Sequence, residues 1–215
     1  MSVPPLFVMP KNILFSLGLP LAENTFYQLS SDRLIQQCIE RKEGVPDNIG
    51  ALVVHTEKYT NRNSKNCFVV KDNITNTIEW NDSSQPIEKK FFDGLYQKMI
   101  EHLGVKEIWI RDSYFCADSA TRLYIRSISE DPAGDLFVYN MFLHPTQKEI
   151  ENFNPDWYII HAPSFSADAK TDGIRQDNFT IINVTKRVIL IGGLAYDNEI
   201  KQMIFSILNK LNAEC

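Results

Sequence analysis

Apolar residues recur along the chain in two kinds of pattern, one with helical spacing and one typical of strands. Helical spacing predicts four long helices, beginning after Ser30, at about Glu88, at Pro132 and at about Asn198. Alternating or unbroken apolar runs predict strands at 51–55, 67–71, 106–115, 121–128, 157–162, 179–184 and 187–193.

Shorter signals complete this outline. Thr146 and Glu149 form the sequence of a capping box and predict one further short helix. Residues 44–48 predict a turn, and residues 77–80 predict a short extension of the sheet.

The predicted helices and strands are interleaved, with no internal repeat and no linker long enough to divide the chain. This order predicts an α/β fold, a single domain with a mixed β-sheet flanked by helices. We expect the domain to occupy residues 30–215 and an irregular segment to occupy residues 1–29. Prolines interrupt the apolar run of that segment and no charged region precedes it, which argues against a signal peptide or a membrane span. The sequence therefore predicts a cytoplasmic protein.

Net charge, cysteine spacing and histidine context argue against several classes of partner and of chemistry. The 215 residues carry a formal net charge of -5, which gives no basic footprint for nucleic acid or for an anionic membrane, so we expect neither. The four cysteines are scattered, without a CxxC pair or a histidine at metal-finger spacing, which predicts separate free thiols. The histidines accompany no Ser or Cys in a nucleophile motif, and we assign no catalytic residue.

A polar loop between two predicted strands is the first candidate for binding chemistry. The run TNRNSKN, residues 60–66, places Arg62 among small polar residues. A guanidinium on such a loop can hold a carboxylate or a phosphate through two parallel hydrogen bonds. By spacing alone, a solvated polar loop without a ligand is the favoured interpretation of the run.

The second candidate is the junction at which a predicted strand ends in Gly192 and Gly193 and opens onto a helix. Backbone N–H groups at the start of a helix are a natural anion site. By itself this pattern favours a plain strand-to-helix turn over an anion site.

The content and order of these segments, over about residues 50–209, resemble the N-terminal domain of the ATP-dependent phosphoenolpyruvate carboxykinase family. The strand GALVVHT followed by TNRNSKN is similar to the family's strand and its T-G-R-S-P-K-D loop. NMFLHPT is similar to N-M-F-I-R-P-T, and IIHAP to I-I-H/N-A-P, with LIGG continuing the order.

The resemblance implies a reversible, decarboxylating reaction of gluconeogenesis, in which oxaloacetate and ATP give phosphoenolpyruvate, CO₂ and ADP. It implies ATP, Mg²⁺ and Mn²⁺ as the family's cofactors. It also implies substrate contacts from Arg62, Tyr196 and Lys201, the last being the first of two adjacent lysines in the family.

Departures from the family pattern predict an inactive relative, a pseudoenzyme that keeps the fold and binds a small carboxylate such as oxaloacetate or phosphoenolpyruvate. Gln202 stands where the family has its metal-binding lysine, and an amide oxygen is a poor substitute for an amine nitrogen. No G-x-x-x-x-G-K-[ST] phosphate loop occurs in the 215 residues. We therefore expect no metal site and no cofactor in this chain.

Two alternatives remain open at this point. The chain could supply the substrate side of a split carboxykinase, with the nucleotide domain on a separate polypeptide. It could instead be an interaction or regulatory module that self-associates or docks on a full-length carboxykinase.

Overall fold

The computed structural model describes residues 9, 17–19, 25–49, 51–54, 66–75, 85–195 and 198–212. In chain order the strands and helices are β1 (Thr25–Tyr27), α1 (Ser31–Glu40), β2 (Gly44–Pro46), β3 (Leu52–Val54), β4 (Cys67–Lys71), β5 (Gln85–Glu88), α2 (Lys89–Leu103), β6 (Ile108–Phe115), β7 (Leu123–Ser129), α3 (Pro132–Met141), α4 (Gln147–Ile150), β8 (Trp157–Ala162), β9 (Phe179–Asn183), β10 (Val188–Gly192) and α5 (Asn198–Asn212). They fall into two compact units, unit 1 from Met1–His55 with Leu103–Asp156, and unit 2 from Thr56–His102 with Trp157–Cys215.

Unit 1 contains a mixed three-stranded arrangement in which β6 lies between β1 and β7. β1 runs parallel to β6, and β7 runs antiparallel to it. α1 and α3 pack with these strands through a cluster of Leu34, Trp109 and Leu136. β2 and β3 form a separate antiparallel hairpin.

Helix capping follows the sequence at α3 and α4, whereas the Ser30 side chain makes no capping hydrogen bond at the start of α1. The Asp131 carboxylate accepts a hydrogen bond of 2.7 Å from the Gly134 N–H at the start of α3, with Pro132 in the first helical position. The Thr146 hydroxyl accepts a bond from the Glu149 N–H, and the Glu149 carboxylate accepts one of 2.7 Å from the Thr146 N–H. The predicted capping box is therefore confirmed.

Unit 2 contains five strands in the order β8-β10-β9-β4-β5. β10 runs parallel to β8 and antiparallel to β9, whereas β4 runs parallel to both β9 and β5. Every residue of β9 and β10 is buried, as expected for strands covered on both faces. α5 buries Ile200, Met203, Ile204 and Ile207, four residues of the apolar stripe predicted for it.

The α/β class with a mixed β-sheet flanked by helices is thus confirmed. Residues 44–46 are a strand and not the predicted turn, because pairing with β3 satisfies their backbone groups. The turn lies further along, where the Asp47 carboxylate accepts bonds from the N–H groups of Ile49 and Ala51.

Two further short strands, β1 and β5, have no counterpart in the sequence prediction. β1 lies within residues 1–29, predicted to be irregular, and is held by its pairing with β6. β5 has a single buried residue, Ile87, and lies at the end of its sheet, where Pro86 is tolerated. The predicted extension at 77–80 lies outside the described residues. No helix in the described part of the chain is long and apolar enough to cross a membrane.

Candidate functional site

One edge of the unit 2 sheet gathers the segments that border both candidate loops. Because β8 and β10 are parallel and β9 is antiparallel to β10, the carboxyl ends of β8 and β10 meet the amino end of β9. Gly192 is paired with Ala162 on one side and with Phe179 on the other. β4 starts at this same edge, with Cys67 opposite Thr180.

The glycine pair at the end of β10 is required by close packing. Gly193 has a φ of +67°, and a Cβ atom there would lie 2.8 Å from the backbone oxygens of Phe165 and Asp177. A Cβ atom on Gly192 would lie 2.7 Å from the Phe179 ring. The Gly193 N–H donates a hydrogen bond of 3.0 Å to the Ala162 carbonyl and is therefore engaged within the fold. At this position the sequence pattern reflects a tight turn, and this N–H is not offered to an anion.

A buried histidine forms a hydrogen bond to the same turn. His161, the penultimate residue of β8, is 1% exposed, and its Nε2 lies 2.9 Å from the Leu194 carbonyl oxygen. A carbonyl oxygen only accepts, so Nε2 carries the proton. This contact ties β8 to the segment that leads into α5, and sequence reasoning did not find it.

The first turn of α5 contains a buried carboxylate two residues before the predicted lysine. Glu199 is fully buried, and the Cys67 thiol lies 3.5 Å from its Oε1. A carboxylate in the first turn of a helix is stabilised by the positive end of the helix dipole. Lys201 and Gln202 follow on the same helix and are both half-buried.

A cluster of three amide side chains borders the polar loop. Asn66, which precedes β4, donates from Nδ2 to Asn178 Oδ1 at 2.6 Å and to Gln176 Oε1 at 2.9 Å. Asn66 and Asn178 are each 4% exposed. The sequence analysis did not identify this cluster, although three amides that flank two strand starts are a signal that could have pointed to it.

The structure describes one of the three predicted substrate-contact residues. Arg62 and Tyr196 lie outside the described residues, whereas Lys201 lies in the first turn of α5. The described residues bordering the two loops are connected, because Asn66 bonds to Asn178, and Asn178 Cα lies 3.1 Å from the position of a Cβ on Gly193. The end of the first loop and the start of the second junction therefore lie at one edge of the sheet.

Acidic and sulfur ligands are not grouped for metal binding in this part of the molecule. Within the described ranges, no three or more His, Cys, Asp and Glu side chains are arranged to hold an ion. The side chain of Gln202 supplies an amide in place of an amine. These residues do not fit the family's metal.

The sequence that forms this α/β fold has relatives among known proteins. The family model for phosphoenolpyruvate carboxykinase matches residues 23–214, and the chain belongs to this family.

Its relatives include proteins named as the ATP-dependent enzyme. The chain is 46% identical over 184 residues to the phosphoenolpyruvate carboxykinase (ATP) of Christiangramia forsetii, an alignment that covers 85% of this chain and 35% of the relative. It is 41% identical over 208 residues to the corresponding protein of Flavobacterium johnsoniae, covering 94% of this chain and 39% of the relative. It is 38% identical over 193 residues to that of Bacillus cytotoxicus, covering 89% and 37%. The chain thus spans little more than a third of the length of these relatives.

Proposed function

We propose that this chain is a substrate-side domain of the ATP-dependent phosphoenolpyruvate carboxykinase type. In this proposal it binds a small carboxylate, oxaloacetate or phosphoenolpyruvate, through Arg62, Tyr196 and Lys201. The observation that carries the proposal is that Asn66 bonds to Asn178, which in turn packs against Gly193. These contacts bring Asn66, at the end of the predicted polar loop, and the glycine pair after β10 to one edge of the sheet.

The chemistry of these three residues suits such a ligand. A guanidinium pairs with a carboxylate through two parallel hydrogen bonds, and an ammonium adds a compact positive charge. A tyrosine hydroxyl adds a neutral donor that can orient the ligand. Two cations and one donor match the charge and the acceptor groups of phosphoenolpyruvate and of oxaloacetate.

The proposal assigns binding and no turnover to the 215-residue chain by itself. Phosphoryl transfer depends on positioned phosphates and metal ions, and the G-x-x-x-x-G-K-[ST] motif is absent from these residues. With Gln202 in place of the family's lysine, we propose that neither ATP nor Mn²⁺ binds in the family manner. The proposal also places the protein in the cytoplasm, where the small metabolites of central metabolism are found.

Thermal unfolding with single ligands tests this function. A ligand at a hundred times its dissociation constant adds about 2.7 kcal/mol to the free energy of unfolding. For a chain of this size that corresponds to a rise in Tm of roughly 5 to 10 °C. We expect this rise with phosphoenolpyruvate and with oxaloacetate, and none with ATP or Mn²⁺ alone.

Paired variants make the result specific. Arg62→Ala is expected to abolish the rise in Tm, whereas Arg33→Ala, on the exposed surface of α1, is expected to leave it unchanged. Absence of a rise with either carboxylate in the wild type contradicts the binding function. Formation of phosphoenolpyruvate by the purified chain contradicts the inactivity, and turnover only after addition of a separate nucleotide domain favours a split enzyme.

A further inference from the structure

Glu43, in the connection between α1 and β2, carries a carboxylate whose two oxygens lie in different surroundings. Its side chain is 23% exposed. Oε1 accepts a hydrogen bond of 2.6 Å from Arg41 Nε, whereas Oε2 is buried and has no hydrogen-bond partner within the part of the chain that the structure describes. A buried carboxylate oxygen without a donor has lost its hydration, which disfavours the ionised form of Glu43.

Arg41 offsets only part of the lost hydration at Glu43, because its guanidinium is shared and open to solvent. Its Nη1 pairs with Glu107, and its central carbon lies 5.0 Å from the centroid of the Trp109 ring. The side chains of Arg41 and Glu107 are 37% and 40% exposed. Ion pairs with this exposure contribute little, because solvent screens them.

The start of α3 adds a second negative charge close to Glu43. Asp131 is the N-cap of this helix and accepts a hydrogen bond from the Gly134 N–H. Burial, the largest influence, raises the pKa of Glu43, and the Arg41 guanidinium lowers it. The Asp131 carboxylate raises it again and the Ala133 N–H lowers it, with the result that the pKa of Glu43 lies above the usual value of a glutamate.

The other charged groups near this contact are engaged with partners of their own. The elements around Glu43 carry Glu40, Arg41, Lys42, Asp47, Lys106, Glu107, Glu130, Asp131 and Asp135. Of these, Glu130 pairs with Lys106 at 3.4 Å, and Asp135 pairs with Arg111 at 2.7 Å. Asp131 is therefore the acidic neighbour whose charge acts on Glu43.

We propose that Glu43 forms a proton-dependent contact between the end of α1 and the start of α3. Without its proton, Glu43 presents a partly desolvated charge beside Asp131, and the contact is loosened. With its proton, the repulsion disappears and the carboxyl group becomes a hydrogen-bond donor, so that the contact is tightened. The two helices already pack through Leu34 and Leu136, and the proton adjusts the stability of this packed pair. This inference does not depend on carboxylate binding by the chain.

Thermal unfolding of the wild type and of Glu43→Gln at a series of pH values tests the proposal. Because the pKa of Glu43 is raised in the folded state, its stabilisation is complete below the unfolded pKa of about 4.3 and is lost as pH rises through the folded pKa. Glutamine keeps the shape of the protonated side chain. Glu43→Gln is therefore expected to match the wild type at about pH 4 and to have the higher Tm at about pH 8, by roughly 3 to 5 °C for each tenfold difference in proton affinity.

Two further variants separate this contact from a general effect of charge. Glu107→Gln removes the other carboxylate partner of Arg41 and is expected to lower Tm by no more than about 2 °C, because that ion pair is exposed. Asp131→Asn keeps a good N-cap residue but removes the neighbouring charge. In the Asp131→Asn background, the rise in Tm from Glu43→Gln at about pH 8 is expected to be smaller than in the wild type, because the two side chains interact.

NMR titration of the Glu43 carboxyl group gives a direct second readout. We expect it to titrate above about 4.3, the value of a free glutamate side chain. Titration at or below that value overturns the proposal, as does a Glu43→Gln protein that is no more stable than the wild type at about pH 8. An equal gain from Glu43→Gln with and without the Asp131 charge overturns the part of the proposal that assigns the repulsion to Asp131.

Discussion

At the scale of single residues, charged side chains of β6 and β7 are buried because each is paired with a side chain of opposite charge. Polar residues in an alternating strand usually face solvent. Here Arg111 pairs with Asp135 at 2.7 and 2.9 Å, and Arg126 pairs with Asp112 at 2.6 and 2.8 Å, all of them buried. Asp112 also accepts a bond of 2.7 Å from the Tyr27 hydroxyl. The strand pattern predicted β6 and β7 but could not predict these pairs.

Removal of one partner from such a pair is expected to be costly. Asp112→Ala takes away the acceptor of two guanidinium bonds and of one hydroxyl bond, and we expect the free energy of unfolding to fall by about 3 to 5 kcal/mol. Urea denaturation followed by circular dichroism measures the change.

The matched control is Glu88→Ala, which breaks an ion pair with Lys90 whose side chains are 66% and 69% exposed. We expect no change beyond experimental error, because solvent screens an exposed pair. Equal destabilisation by the two variants would show that burial does not govern the strength of these interactions.

At the scale of elements, the motif at the strand-to-helix junction after β10 predicted the special backbone of the turn but not the partner of its N–H group. Two glycines at the end of an apolar strand predicted a special backbone, and the positive φ of Gly193 and the close approach of Phe165 explain why. Whether the turn offers an N–H to an anion depended on β8, whose Ala162 carbonyl accepts from Gly193. His161, to which the sequence analysis assigned no catalytic role, forms a hydrogen bond to the Leu194 carbonyl in this same turn.

Two glycine-to-alanine variants separate these backbone effects. Gly193→Ala is expected to lower the free energy of unfolding by about 2 kcal/mol or more, because alanine is strained at positive φ and its Cβ would meet backbone oxygens at 2.8 Å. Gly94→Ala, within α2 and with nothing within 4 Å of its Cβ, is expected to raise it by about 0.5 to 1 kcal/mol.

Differential scanning calorimetry of the two variants gives the comparison directly. Opposite shifts in Tm are expected. A Gly193→Ala protein as stable as the wild type would mean that the turn can relax, and would remove the steric reason for the glycine.

At the scale of the whole molecule, acidic groups outnumber basic ones, and the carboxylates differ in how folding affects them. Partial burial works against the ionisation of Asp72, but hydrogen bonds from Thr185 at 2.6 Å and from Thr75 hold its pKa below the usual value. Burial raises the pKa of Glu43, which acts in the opposite direction on stability. The pH dependence of the wild type is therefore a sum of opposing contributions.

The contribution of Asp72 can be isolated by difference. Because its pKa is lower in the folded than in the unfolded state, its stabilisation is complete above the unfolded pKa of about 4 and is lost as pH falls through the folded pKa. Asp72→Asn is expected to be less stable than the wild type at pH 6, with the difference disappearing towards pH 2.

Thr185→Val provides the control, since it removes one donor while keeping the carboxylate. It is expected to raise the pKa of Asp72, observed by NMR titration. A stability difference between the wild type and Asp72→Asn that does not vary with pH would contradict a lowered pKa in the folded state.

The candidate site was accessible to sequence reasoning only in part. We selected Arg62, Tyr196 and Lys201 from the sequence because each lies in a short segment that resembles a motif of the carboxykinase family. Asn66, Gln176 and Asn178 were missed because each is an ordinary polar residue in its own segment, and their bonds span more than a hundred residues.

The sequence by itself determined the type of most elements, the caps of α3 and α4 and the family to which the chain belongs, since these depend on neighbouring residues or on motifs in linear order. Only the tertiary structure decided the strand order β8-β10-β9-β4-β5, the strand at Gly44–Pro46 and the amide bonds at the edge of the sheet. The physical reason is that backbone pairing and buried polar contacts are satisfied by partners far apart in the chain, and no local pattern specifies which partner that is.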